Sequence, residues 1–141
     1  MSKPMDNQKL IEMLPPVTDA NRDFWEGTLA GELRLQYGDS GTPRYPESPV
    51  DPVTLDADFA WRAASGRATL WSWIVMHQKY FPAFADEVPY LVAFVQLEEG
   101  PYLMTTLVDP PEHLECGMPL EVVFEQISDD RAIPKFKVVS G

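Results

Sequence analysis

The chain has 141 residues, 45% of them hydrophobic and 23% charged, with one cysteine and a formal net charge of −11, the composition of one globular domain rather than a disordered or fibrous chain. A fold of this size removes roughly two-thirds of the unfolded surface from water, so size alone demands neither a metal nor a disulfide. Cys116, the single cysteine, excludes an intramolecular disulfide and a four-thiolate zinc site, and with His77 and His113 the only histidines any zinc centre would need carboxylates to complete it.

Charge is distributed unevenly. Residues 81–130 hold eleven acidic side chains and no Lys or Arg, while the remainder holds eleven of each sign. Nucleic-acid binding depends on cations that neutralise phosphates, so no nucleic-acid partner is expected and the acidic segment reads as solvated surface. The opening MSKPMDNQKL has no apolar run after its lysines, and no stretch of about 18 apolar residues follows anywhere. No membrane contact is expected, and a cytoplasmic location is.

Residues 1–31 read as an N-terminal arm and helix. KLIEML is closed by Pro15 and Pro16; TDANRDFWEGTLAGEL then carries a helix, with Thr18 or Asp19 as cap, Ala20, Phe24 and Leu29 near helical spacing, and Gly31 as its stop. Residues 32–56 form a connector in which Gly38, Gly41, Pro43, Pro46, Pro49 and Pro52 forbid regular helix or a central strand. Residues 57–141 are β in character. FAWRAAS, ATLWSWIVMHQKY, YLVAFVQLE, YLMTTLV, LEVVFEQI and KFKVV are separated by Gly66, Pro89, Gly100, Pro110–Pro111, Gly117–Pro119 and Ile133–Pro134, which predicts a small barrel. YLVAFVQL is apolar on both faces and suits a strand covered by core on one side and by a partner or the N-terminal helix on the other. PPEHLECGMP is read as one helical turn.

Two motifs fail on their context. Gly38-Asp39-Ser40-Gly41 copies the string around a serine-protease nucleophile, but that chemistry needs a histidine and a buried aspartate brought together by two barrels, and the chain has room for one. His113-Leu114-Glu115 fits half of a zinc-deaminase signature whose downstream cysteine pair is missing. His77 follows Leu70, Trp71, Trp73, Ile74, Val75 and Met76; no second ionisable group is paired with it in the sequence, so a structural or interface role is favoured over general base catalysis. Tyr80, Phe81, Phe84 and Tyr90 are too many aromatics for one barrel core and read as a binding surface. Arg44, Arg62, Arg67, Lys79, Lys135 and Lys137 are the cations available to an anionic ligand, with Arg62, Arg67 and Lys79 the contact candidates.

Taken in order, FWEGTLAGEL, LRLQ, RYPE, SGRATLWSWIVMH, PAFADEVPYLVAFVQLEEGP, MTTLVD, CGMPLEVVFE and IPKFK resemble the zinc-ribbon and OB-fold acyl-CoA-associated family known as domain of unknown function 35, from Phe24 to Lys137. The resemblance implies a mainly β chain: an N-terminal helix, a rubredoxin-like ribbon, then an OB-fold barrel. The family's two Cys-x-x-Cys pairs fall at Gly38 and Gly41 and at Asp51 and Thr54, none a thiolate, so the ribbon is expected to be degenerate and metal-free. It also implies a non-catalytic accessory subunit of a thiolase-fold thiolase or aldolase, with a MaoC-type enoyl-CoA hydratase as the alternative partner. In that reading no residue here is catalytic and no cofactor is tightly bound. A coenzyme A thioester is the ligand of the hetero-oligomeric complex, and Phe24, Trp25, His77, Tyr80, Phe81, Phe84 and Tyr90 contact partner or acyl-CoA. Two other readings stay open: a stand-alone OB fold that stacks nucleic-acid bases on Trp71 and Trp73, and a CoA-thioester hydratase or hydrolase with His77 or Glu87 as base.

Overall fold

Residues 7–78 and 89–139 are described by the computed structural model. Two short helices, α1 (Asn7–Met13) and α2 (Arg22–Leu29), precede a small sheet of β1 (Arg34–Tyr37), β2 (Pro43–Arg44) and β3 (Ala60–Ala63) and a larger one of β4 (Arg67–Met76), β5 (Tyr90–Leu97), β6 (Tyr102–Thr105), β7 (Pro119–Gln126) and β8 (Ala132–Val138). The chain is mainly β, as expected.

The larger sheet runs β6-β5-β4-β7-β8, every neighbouring pair antiparallel. It curls until Leu107, just beyond β6, bridges Phe136 of β8 in parallel, with Val108 N donating to Phe136 O at 2.8 Å and Phe136 N to Thr106 O at 3.1 Å. A five-stranded, partly open barrel closed in this way is the OB fold. Alternation builds its core: Ala68 and Leu70, Ala93, Val95 and Leu97, Leu103, Leu120 and Phe136 point inward and are buried. Phe136 is fully buried, and its truncation to alanine costs about 3–5 kcal/mol. Leu33, just before β1, and Leu35 of β1 join the same core, which fixes the small sheet to the barrel.

Several expectations need correction. The helix begins at Arg22 with Asn21, rather than Thr18 or Asp19, in the cap position, and the Asn21 side chain makes no cap bond but accepts from Thr18 N at 2.7 Å and donates to Pro16 O at 3.1 Å, which stitches the preceding loop. Gly31 does end it: at φ +77° it lets Glu32 N reach Gly27 O at 2.8 Å and Gly31 N reach Thr28 O at 3.3 Å, a Schellman closure. FAWRAAS does not enter the barrel sheet; its strand β3 pairs with β1. PPEHLECGMP forms turns instead of helix, since Gly117 lies at φ +90° and Met118 N closes back on Glu115 O at 3.3 Å. Pro134 does not break its segment but sits inside β8, at the end of the sheet order, where a missing N–H is tolerated.

Candidate functional site

The N-terminal arm is clamped to the far end of the barrel. Leu10 of α1 is buried against Ile127, with Leu14 and Ile133 beside them, and Arg131 Nη1 donates to Pro15 O at 2.6 Å while its guanidinium lies 5.3 Å from the Trp25 ring centre. Between arm and barrel opens a cavity of about 810 Å³. Phe24 and Trp25 form one wall, edge to face at 5.3 Å, with Tyr45 of the ribbon 6.0 Å from Phe24. The opposite wall is Tyr90 to Val92 of β5 and Leu103 to Val108 in and after β6. Lys135 reaches in from β8 and is ion-paired with Glu125 of β7.

The cavity is lined mostly by apolar side chains. Its described lining carries no histidine or cysteine. Burial, then the Glu47 carboxylate, raises the Tyr45 phenol above its ordinary value, so it stays a neutral hydrogen-bonding group. Concave, apolar surface with few polar groups is what ligands and partner side chains use. Among the described residues no three His, Cys, Asp or Glu side chains cluster to hold a metal.

Of the residues singled out in the sequence, Phe24, Trp25 and Tyr90 meet in this cavity. His77 lies exposed just past β4. Arg62 sits over the Tyr37 ring at 5.1 Å and Arg67 pairs with Glu98 at 2.8 Å, both away from the cavity. Lys79, Tyr80, Phe81, Phe84 and Glu87 lie outside the described residues. His113 is exposed and bonded to Glu115 at 2.9 Å. Lys135, named in the sequence among the cations available to an anionic ligand, lines it as well, and Tyr45, Leu91 and Leu107 were missed as lining residues. The available signal was the set of matching stretches: RYPE supplies Tyr45, PAFADEVPYLVAFVQLEEGP supplies Leu91 and MTTLVD supplies Leu107.

A second apolar surface lies on the outer face of the barrel. Alternation after buried Leu70 turns Trp71 outward, 53% exposed, and a bulge between Leu70 and Ser72 then shifts the phase so that Trp73 packs on the core. The two tryptophans therefore do not form the common stacking platform that the nucleic-acid reading requires. Trp71 instead meets Tyr102 edge-on at 5.3 Å, and Tyr102 stacks on Phe94 at 5.4 Å.

Comparison with known proteins places these features in a family. Residues 61–125 match the profile described as the C-terminal OB-fold domain of ChsH2. Over 131 residues, 92% of the chain, it is 36% identical to the probable enoyl-CoA hydratase alpha subunit of Thermomonospora curvata. Over 129 residues, 91% of the chain, it is 30% identical to the 3-oxo-4,17-pregnadiene-20-carboxyl-CoA hydratase alpha subunit of Mycobacterium tuberculosis. The chain spans 40% and 41% of the lengths of these two curated relatives. Among solved structures, a chain of the Ltp2-ChsH2(DUF35) aldolase superposes with a TM-score of 0.77 at 31% identity, over 89% of this chain and 98% of that one.

Proposed function

This chain belongs to the DUF35 family of OB-fold proteins, and on that premise we propose that it is a non-catalytic accessory subunit of an acyl-CoA-processing enzyme. It docks on a thiolase-fold aldolase or thiolase, stabilises it and completes its channel for a coenzyme A thioester. One observation carries the choice of partner: a chain of the Ltp2-ChsH2(DUF35) aldolase superposes on this one with a TM-score of 0.77 at 31% identity, over 89% of this chain.

The cavity supports the same reading. Its described lining is mostly apolar, with Lys135 ion-paired to Glu125, which suits a surface that binds while the partner supplies the reacting groups. The hydratase names of the curated relatives favour a MaoC-type hydratase as the second reading.

The test is co-expression of the tagged chain with thiolase-fold and MaoC-type proteins from its source cell. Affinity purification, light scattering and an assay of CoA-thioester cleavage or hydration follow. The expected result is a stoichiometric complex with the thiolase-fold protein whose activity falls when this chain is omitted. Association with the hydratase alone would establish the second reading, and a monomer that alters neither activity would reject both.

A further inference from the structure

The two positions of each family metal pair fall in the ribbon, and the residues there do not suit zinc, which takes four sulfur, nitrogen or carboxylate donors in a tetrahedron. Gly38 and Gly41 have no donor side chain. Asp51 is the one charged group of the four, and its oxygens are already committed: Oδ2 accepts from Ser40 Oγ at 2.8 Å, and Oδ1 accepts from Val53 N at 2.8 Å and Thr54 N at 3.0 Å. The fourth residue, Thr54, accepts from Asp56 N at 3.3 Å through its hydroxyl.

Asp51 is fully buried, a state a carboxylate tolerates only when hydrogen-bonded and electrostatically compensated. Hydrogen bonds meet the first need, and a buried cation lies near the carboxylate without an ion pair between them. Arg44 is 4% exposed and donates to the carbonyls of Ser48 at 2.9 Å, Asp58 at 3.3 Å and Asp56 at 3.4 Å. A Cβ at residue 38 would stand 2.5 Å from Asp51 Oδ2 and 3.0 Å from Arg44 Nη2, so the space a ligating side chain would need there is filled by the two charged groups. Around them, Gln36 Oε1 accepts from Ser48 N at 2.9 Å, and the Asp51 backbone bonds Asp56 O at 2.7 Å and Leu55 N at 3.0 Å.

We propose that the Asp51 carboxylate replaces the zinc of the ribbon: a buried hub of Asp51, Ser40 and the 53–54 amides, flanked by Arg44, closes residues 38–58 onto β1, and this centre takes no metal. Hub and metal exclude each other, because a thiolate at position 38 would displace Asp51. In a metal-closed ribbon the folding energy comes from the ion; here it comes from charge-assisted hydrogen bonds made within one loop. The order of the ribbon is then indifferent to chelators and thiol oxidants. This inference is independent of which enzyme the chain accompanies.

Two measurements on the full chain decide it. Protein purified from zinc-supplemented culture is expected to carry under about 0.1 zinc per chain, where a structural site retains one, and to keep its melting temperature in EDTA; stoichiometric zinc or a melting temperature lowered by EDTA overturns the proposal. For Asp51→Asn, thermolysin cleavage within residues 38–59 is expected to accelerate roughly tenfold, with local opening setting the rate. If that variant does not fold, Ser40→Ala decides, with cleavage expected to be roughly 2–5-fold faster. Cleavage as slow as in the wild type, in Asp51→Asn or in Ser40→Ala where that variant decides, overturns the hub.

Discussion

The Thr28 hydroxyl joins α2 to β8: it donates to Trp25 O at 2.6 Å and accepts from Ala132 N at 3.1 Å, across 104 positions of sequence. Thr28 is 1% exposed and Ala132 2% exposed, so no water replaces either bond. This contact holds the helix that carries Phe24 and Trp25 against the barrel.

Thr28→Val keeps the shape of the side chain and removes both bonds, leaving the Ala132 N–H buried without a partner. The expected loss of stability is about 1–3 kcal/mol. Urea unfolding checks this, with a lower midpoint at an unchanged slope.

Local chemistry was legible wherever one residue decides a backbone choice. Gly31 marked the end of α2 because its positive φ is readable from residue type, and Gly100 separated β5 from β6 for the same reason. The start of α2 was not legible: Thr18, Asp19 and Asn21 are all good caps, and only the fold directs the Asn21 side chain to Thr18 and Pro16. Strand phase was not legible at Trp73, since a bulge shifts alternation without changing composition. The cavity was legible only in part. Phe24, Trp25 and Tyr90 stand out as aromatics, but Leu10 arrives by docking of α1 on Ile127 and Leu107 and Lys135 by barrel closure, which no periodicity encodes.

Acid should loosen the ribbon through Asp51. Burial alone would raise this carboxyl, but hydrogen bonds from Thr54 N, Val53 N and Ser40 outweigh that and hold it at about 2, against an unfolded value of about 3.9. A carboxyl lowered by folding contributes stability that is complete above the unfolded value and is lost as pH falls toward the folded one. The urea midpoint is therefore expected to fall between roughly pH 4 and pH 2. Asp51→Asn, measured wherever it folds, should flatten this limb. Glu98, lowered by the Ser65 hydroxyl against desolvation and helped by Arg67, adds a contribution of the same sign, so Asp51→Asn flattens the limb without abolishing it.

The outer aromatic face stabilises the barrel by cross-strand contact. Tyr102 lies 5.4 Å from Phe94 with ring planes 12° apart, and Met104 rather than Tyr102 is the β-ladder partner of Phe94, so the stack is a diagonal one. A double-mutant cycle with Tyr102→Ala and Phe94→Ala is expected to give a coupling of about 0.5–1.5 kcal/mol. A coupling indistinguishable from zero would mean that the stack adds nothing beyond area burial.

Docking should depend on Phe24 more than on its neighbours along α2. Phe24 is half-buried, touches Trp25 and Tyr45, and faces the cavity. Trp25 is a poorer probe: it is 8% exposed and carries the Arg131 guanidinium, so its loss would disturb the fold itself. Aromatic anchors in concave sites dominate interface energies, at about 2 kcal/mol or more, a factor of roughly 30 in Kd. Phe24→Ala is accordingly expected to weaken association with the thiolase-fold partner by at least that factor. The control is Arg22→Ala on the same helix, whose side chain pairs with exposed Asp19 and does not line the cavity. Calorimetric titration of the partner with both variants separates the outcomes: a selective loss in Phe24→Ala places the interface at the cavity, whereas equal affinities move it to another face of the molecule.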